Sequence, residues 1–406
     1  MEELMRKYSN MILNVCLRVK SNQPLFISFN SERLDFVRIL AKEAYKIGVK
    51  DIYFDVIDSE IKHDMLKNLD IEDLKNSTYF NRYMWNEYAK KGAAFVMLAS
   101  ETPGLMSDID SEKQSNAFIY SLESRKEFDD LRNKSMVPWC IAAVPTLSWA
   151  KKIFPESNSP LEDLWNKIFE ICGVYEDNPE QHLESKLKTL GIRKDKLNSL
   201  HIKKLIYSNS LGTNFSIELN DKTIWATGRD KLANGEEVLV NYPTEEIFTS
   251  PNRMSANGIV YSSKPLSYQD KLINNFWIKF ENGKAIDCGA EEGLDTLQSI
   301  INSCENSNYL GEVALVPFDS PISNSNTIFY ETLFDENAAC HLALGDSFTE
   351  CIENGINMSK EELLNNNMNQ CTNHVDFMIG TKDLNIKGIT FNNEEIDIFI
   401  NGNFII

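Results

Sequence analysis

The chain has 406 residues, 42% hydrophobic and 25% charged, the balance of a globular protein long enough for two or three domains. Its 60 acidic side chains against 41 basic ones leave a formal charge of −19. Such a surface repels phosphate backbones and anionic lipid, so nucleic acid is not expected as a partner, whereas metal ions and ligands carrying an amine are suited to it.

The opening stretch, MEELMRKYSNMILNVCLRVK, mixes acids with bases and breaks its apolar run at Asn14, unlike a signal peptide. Leu4, Tyr8, Met11, Ile12 and Val15 fall near helical spacing and predict an amphipathic helix. No run approaches 18 consecutive apolar residues, so no transmembrane span and no membrane partner are expected. PLFISF (24–29) then reads as a strand, and 33–48 as a helix closed by Gly48. DIYFDVI (51–57) is the next strand, 79–92 a helix, and AAFVMLAS (93–100) and WCIAAVP (139–145) two further buried strands. This alternation predicts a parallel sheet with right-handed crossovers. Neither G-x-G-x-x-G nor G-x-x-x-x-G-K-[ST] follows any of these strands, so a nucleotide role has no support.

Residues from about 155 to 200 are patterned as helices. Beyond 200, short β-rich runs separated by turn residues take over, interrupted by one helix at 293–304. The expectation is therefore an α/β domain over 1–200 and a mainly β (α+β) domain over 201–406. The eight cysteines form no C-x-x-C pair and are expected as reduced thiols in the cytoplasm. Cys340, beside His341, reads as a small buried filler rather than a ligand.

Two of the five histidines lie in the last third of the chain. In HVDFMIG, strand alternation projects His374 and Asp376 side by side on one face, with Val375, Phe377 and Ile379 packing on the other. In LGEVALVP, Glu312 begins an apolar strand. In NYPTEEIFTSP, Glu245 and Glu246 follow a strand and a proline. In FDENAACHLALG, Asp335 and Glu336 precede His341. Glu336 and His341 stand about 140° apart on a helical wheel, but an Asn337 cap would put Glu336 in the preceding loop and His341 in the first helical turn, both able to reach one cavity. Taken singly, each acid reads as an ordinary turn or strand-end residue. Taken together, carboxylates and imidazoles clustered in one domain suit Zn, Co, Mn or Fe. Two such ions roughly 3.5–4 Å apart activate a water and polarise a carbonyl at once, which is hydrolysis chemistry. No H-E-x-x-H or G-x-S-x-G competes.

The segments NYPTEEIFTSP, NGIVYSSKPLSY, YLGEVALVPFDSPIS, FYETLFDENAACHLALG and HVDFMIG, with WCIAAVPTLSWAKKIFP in the first half, resemble metallo-aminopeptidases of the aminopeptidase T, aminopeptidase S and PepS type. The resemblance runs in order over essentially the whole chain. It implies a cytoplasmic homodimeric exopeptidase that removes N-terminal residues from peptides with a free N-terminus. It also implies that the β-rich second domain is catalytic and carries two divalent metal ions (Zn, Co or Mn). The implied ligands are Glu246, Glu312, Glu336, His341, His374 and Asp376, with Glu246 or Glu312 handling the proton. The family's run resembling HLALGxxY ends in a tyrosine; here Phe348 stands in its place and lacks the hydroxyl. Losing such an oxyanion donor costs about 100-fold or more in turnover, and Tyr330 is the nearest substitute in sequence. Two rival readings are a two-metal hydrolase of another class and a metal-binding homologue whose catalysis is weakened or lost through Phe348.

Overall fold

In the computed structural model, which describes residues 1–406 apart from Glu101 and Asp270, the chain divides into two units. The first holds residues 1–186 and 229–243, and the second 187–228 and 244–406.

The apolar runs of the first unit become the strands Leu25–Asn30, Ile52–Ile57, Ala94–Ala99 and Trp139–Ala143. They pair in parallel, as helical crossovers require. A two-residue strand, Asn241–Tyr242, extends this sheet beside Trp139–Ala143. The sequence pattern alone groups those residues with the β-rich second half. Helix Leu34–Ile47 buries Phe36, Val37, Leu40 and Ala44 and stops at Gly48, whose φ of 102° suits a left-handed cap. The amphipathic start forms helix Glu2–Asn10 and runs on as a π-helical turn, Met11–Cys16, burying Tyr8, Met11, Ile12 and Val15. Phe26, Trp85, Phe95 and Phe128 form an aromatic core on the sheet, with the Phe26 and Phe95 rings 4.8 Å apart. No helix among the described residues is long and apolar enough to cross a membrane.

The second unit contains a large antiparallel sheet and a smaller one of five strands. The smaller sheet runs His374–Met378, His341–Gly345, Leu310–Leu315, Ile247–Thr249, Ala226–Thr227, and every pairing in it is antiparallel. Its strands alternate cleanly. Val313, Leu342, Leu344, Val375 and Phe377 are buried and share one face. Each side chain buried in this way contributes about 1.5–3 kcal/mol. The opposite face carries nearly all the chemistry.

Two expectations are corrected by this sheet. His341 is not in a first helical turn: Thr332–Asp335 and Glu336–Ala338 are short helical turns, Ala339 is extended, and His341 opens a strand. Glu312 does not begin its strand either; it is the third of six residues in Leu310–Leu315 and is buried.

Candidate metal centre

Cross-strand register assembles the centre. Glu312 pairs with Ala343, and Ala343 pairs with Asp376. His341 pairs with Ala314, and His374 with Gly345. Directly opposed residues on antiparallel strands share a face, as do residues two apart on one strand. Glu312, His341, His374 and Asp376 therefore share one face, and the residues between them are Ala314, Ala343 and Gly345. Gly345 has a φ of 108°, and a Cβ there would lie 2.0 Å from the Asn373 carbonyl oxygen. Only glycine lets the His374 loop approach this closely. Glu246 enters from the segment just before Ile247–Thr249.

Five of the six carboxylates and imidazoles singled out by sequence fall into two triads. One is Glu246, Glu312 and His341; the other is Glu312, His374 and Asp376; within each, one ligand atom per residue lies within 4.8 Å of the others. Glu312 belongs to both. His341 Nε2 is 3.4 Å from Glu246 Oε2, and His374 Nε2 is 3.1 Å from Glu312 Oε2. Glu336 stands outside both triads, although the charges of Glu246, Glu312 and Asp376 act on it.

Both rings are held the same way round. His341 Nδ1 is 3.2 Å from the Ala339 carbonyl and His374 Nδ1 is 2.9 Å from the Asp346 carbonyl. A carbonyl only accepts, so each Nδ1–H donates and each Nε2 is turned to the carboxylates. Metal-ligating histidines are oriented in this way.

The electrostatics describe a site short of positive charge. Burial raises the Glu312 carboxyl to about 7, with Asp376 adding to the rise and His374 opposing it. Burial, then the charges of Glu246, Asp376 and Glu312, lift Glu336 well above the usual carboxylate range. Burial opposes charge on His341, but Glu246, Glu312 and Asp376 bring it up to about 9. His374 is likewise pushed up against its burial by Asp376 and Glu312. Asp376 falls to about 2 because the two histidines outweigh its burial. Protons on these groups stand where a cation's charge would act, and such a cation would displace them. Asp376 Oδ1 is buried and makes no hydrogen bond, although it lies 3.2 Å from His374 Nε2. An orphaned buried acceptor within a set of oxygen and imidazole donors fits a divalent cation.

Sequence reasoning took Asn337 for a helix cap, whereas it lies inside the turn Glu336–Ala338 and supports the site. Asn337 is fully buried. Its Oδ1 accepts the Glu245 N–H at 2.7 Å, and its Nδ2 donates to Leu333 O at 3.1 Å and to Glu336 Oε1 at 3.4 Å. One amide thus fixes both the Glu245–Glu246 segment and Glu336. Asp335 is turned away and braces the backbone instead. Its carboxylate accepts the Phe329 N–H at 2.8 Å and the Glu331 N–H at 3.2 Å, around Tyr330 at a φ of 56°. Cys340 Sγ lies against the Val316 backbone, 3.3 Å from its carbonyl oxygen, as a buried filler. Phe348 packs its ring 4.9 Å from the His374 ring and 5.0 Å from that of Phe248, and its N–H donates to Ser250 Oγ at 2.9 Å.

The family model described as thermophilic metalloprotease (M29) matches residues 1–404. The chain belongs to the M29 family of metalloproteases. A divalent metal is thereby implied for this M29 chain. Aminopeptidase AmpS of Bacillus subtilis is 38% identical over 98% of this chain and 97% of its own. Aminopeptidase 2 of Geobacillus stearothermophilus is 35% identical over 99% and 98%. The solved structure of wild-type AmpT from Thermus thermophilus superposes with a TM-score of 0.92 at 27% identity, covering 99% of both chains. The M29 fold is thus shared along the whole length.

Proposed function

We propose that the chain is a metal-dependent aminopeptidase that holds two divalent ions, one by Glu246 and His341 and the other by His374 and Asp376, with Glu312 shared. The observation that carries this reading is the membership of Glu312 in both triads. When bound, such ions lower the pKa of a water and polarise a carbonyl. The protein's own groups do the rest. Glu246, Glu312 and Asp376 orient the donor atoms from rigid strands or their ends. His341 and His374 present Nε2 because their Nδ1–H groups are committed to backbone carbonyls. Glu336, outside both triads yet held by Asn337, is free to take the water's proton on a carboxylate oxygen and return it to the departing amine nitrogen. That role moves from Glu246 and Glu312, whose carboxylates serve the ions.

The acidic site also selects its substrate. A peptide's α-amine, with an ordinary pKa near 8, is attracted to a cluster of carboxylates, which favours a free N-terminus over an internal residue. A cytoplasmic homodimer, implied by the sequence resemblance alone, is part of the same proposal, checked by sedimentation of the purified chain and by cell fractionation.

The test is release of free amino acids from a panel of short peptides with Zn, Co or Mn added, and with a chelator. Release that needs a metal and stops at the first residue is the expected result. Bound metal without release under any condition would favour the reading as a non-catalytic metal binder, to which Phe348 points. Turnover of phosphate esters instead would favour a two-metal hydrolase of another class.

Two substitutions follow. Asn337→Leu keeps the side chain's approximate size but removes both the acceptor that holds the Glu245 N–H and the donors to Leu333 O and Glu336. Metal affinity is expected to fall about 10- to 100-fold, the usual cost of disturbing an outer-shell partner; calorimetric titration with the metal reads it, and wild-type affinity would contradict the positioning. Phe348→Tyr returns a hydroxyl to a ring already packed on His374. An added oxyanion donor is expected to raise kcat about tenfold or more, with metal content unchanged. An unchanged kcat would mean that this hydroxyl takes no part in the reaction here.

A further inference from the structure

Two cysteines meet outside the metal centre. Cys304 follows helix Leu294–Ile301, and Cys371 comes 67 residues later, just ahead of His374. Their Sγ atoms are 2.9 Å apart. Both are partly exposed, whereas Cys16, Cys140, Cys172, Cys340 and Cys351 are buried. Their loops are already tied together. Asn373 Nδ2 donates to Ser303 Oγ at 3.2 Å, Asn306 Nδ2 to Gln370 O at 3.2 Å, and Asn369 Nδ2 to Asn306 O at 2.9 Å. A bonded sulfur pair sits near 2.05 Å, so side-chain movement of less than about 1 Å would close it.

We propose that Cys304 and Cys371 form a reversible dithiol–disulfide site, closed by a small external disulfide such as glutathione disulfide and reopened by the matching thiol. The Cys304 thiolate attacks one sulfur of the oxidant and expels a glutathione thiolate. Cys371 then gives its proton to a leaving glutathione thiolate and attacks the Cys304 sulfur of the mixed disulfide, expelling the second glutathione. Two protein thiols are oxidised, and one external disulfide is reduced to two thiols. The order follows from the surroundings. Burial works against the Cys304 thiolate, but hydrogen bonds with Cys371 and Thr372 bring its pKa below the ordinary value, while burial raises Cys371 to about 11.

The closed bond would fasten the loop behind His374. Cys371 N–H donates to Asp346 Oδ1 at 3.0 Å, and the Asp346 carbonyl is the partner of His374 Nδ1. Oxidation is therefore expected to slow amide exchange across residues 369–374.

The test treats the full, metal-loaded chain with glutathione disulfide, caps the remaining thiols, and maps the digest by mass spectrometry. The expected product is a Cys304–Cys371 cross-linked peptide pair, two hydrogens lighter than the dithiol and reversed by reduced glutathione. Cys288, also partly exposed, should instead take a single glutathione. In Cys304→Ser the cross-link should vanish and Cys371 should end as a mixed disulfide or a capped thiol. Independent capping of Cys304 and Cys371 in the native chain would overturn the proposal, as would cross-links scattered to Cys288.

Discussion

Glu312→Gln is expected to empty the metal centre and to lower turnover by at least about 1,000-fold. Glutamine keeps the shape of the side chain but replaces the carboxylate proposed as the shared ligand with an amide. Because Glu312 is common to both triads, one change weakens both sites at once. Metals acting on the carbonyl and the water supply several kcal/mol of transition-state stabilisation, and each 1.36 kcal/mol is tenfold in rate. Metal content by mass spectrometry and peptide turnover are the paired readouts. The metal-free protein should keep its Tm or gain slightly, since the substitution removes an acid from a crowded, buried cluster. That separates loss of ligation from loss of fold. A variant that retains both ions at wild-type affinity would show the shared ligand to be misassigned.

Glu336→Gln is expected to do the opposite with the metals. Both ions should remain, while kcat falls about 100- to 10,000-fold, the range for removing a general acid–base group. A base works only when deprotonated, so the wild-type rate should decline as pH falls through the pKa of Glu336. In the variant that acidic limb should disappear. If metal is lost instead, Glu336 is a ligand, and the proton must be carried by another group.

The two histidine strands show how far the residues can be read directly. HVDFM alternates between polar and bulky apolar positions, and its strand and faces are legible for that reason. HLALG alternates in the same way, with His341, Ala343 and Gly345 on one face and Leu342 and Leu344 on the other. Its period is masked by the acidic prelude FDEN, which has the composition of a helix start. Glu312 reads as a strand end because a carboxylate in the middle of a buried strand is costly without partners, and the partners come from other strands. Asn337 signals locally only a helix cap and Asp346 nothing, since the bonds that matter, to Glu245 and to Cys371, reach segments distant in sequence. The parallel sheet of the first unit is legible as alternating strands and helices, whereas Asn241–Tyr242 is too short to carry a pattern and is recruited by pairing alone.

The alanines and glycine beneath the donor set have an evolutionary consequence. Strands are most stable with β-branched or aromatic side chains, and Ala and Gly are poor choices. At Ala314 and Ala343 a change toward better strand formers would push side chains in among the proposed donor groups, and at Gly345 a Cβ would collide with the Asn373 carbonyl oxygen. Selection for thermal robustness and selection for activity should therefore pull in opposite directions at Ala314 and Ala343. Stabilising substitutions in this sheet are to be sought on the opposite face, among Val313, Leu342, Leu344, Val375 and Phe377, away from the donor set.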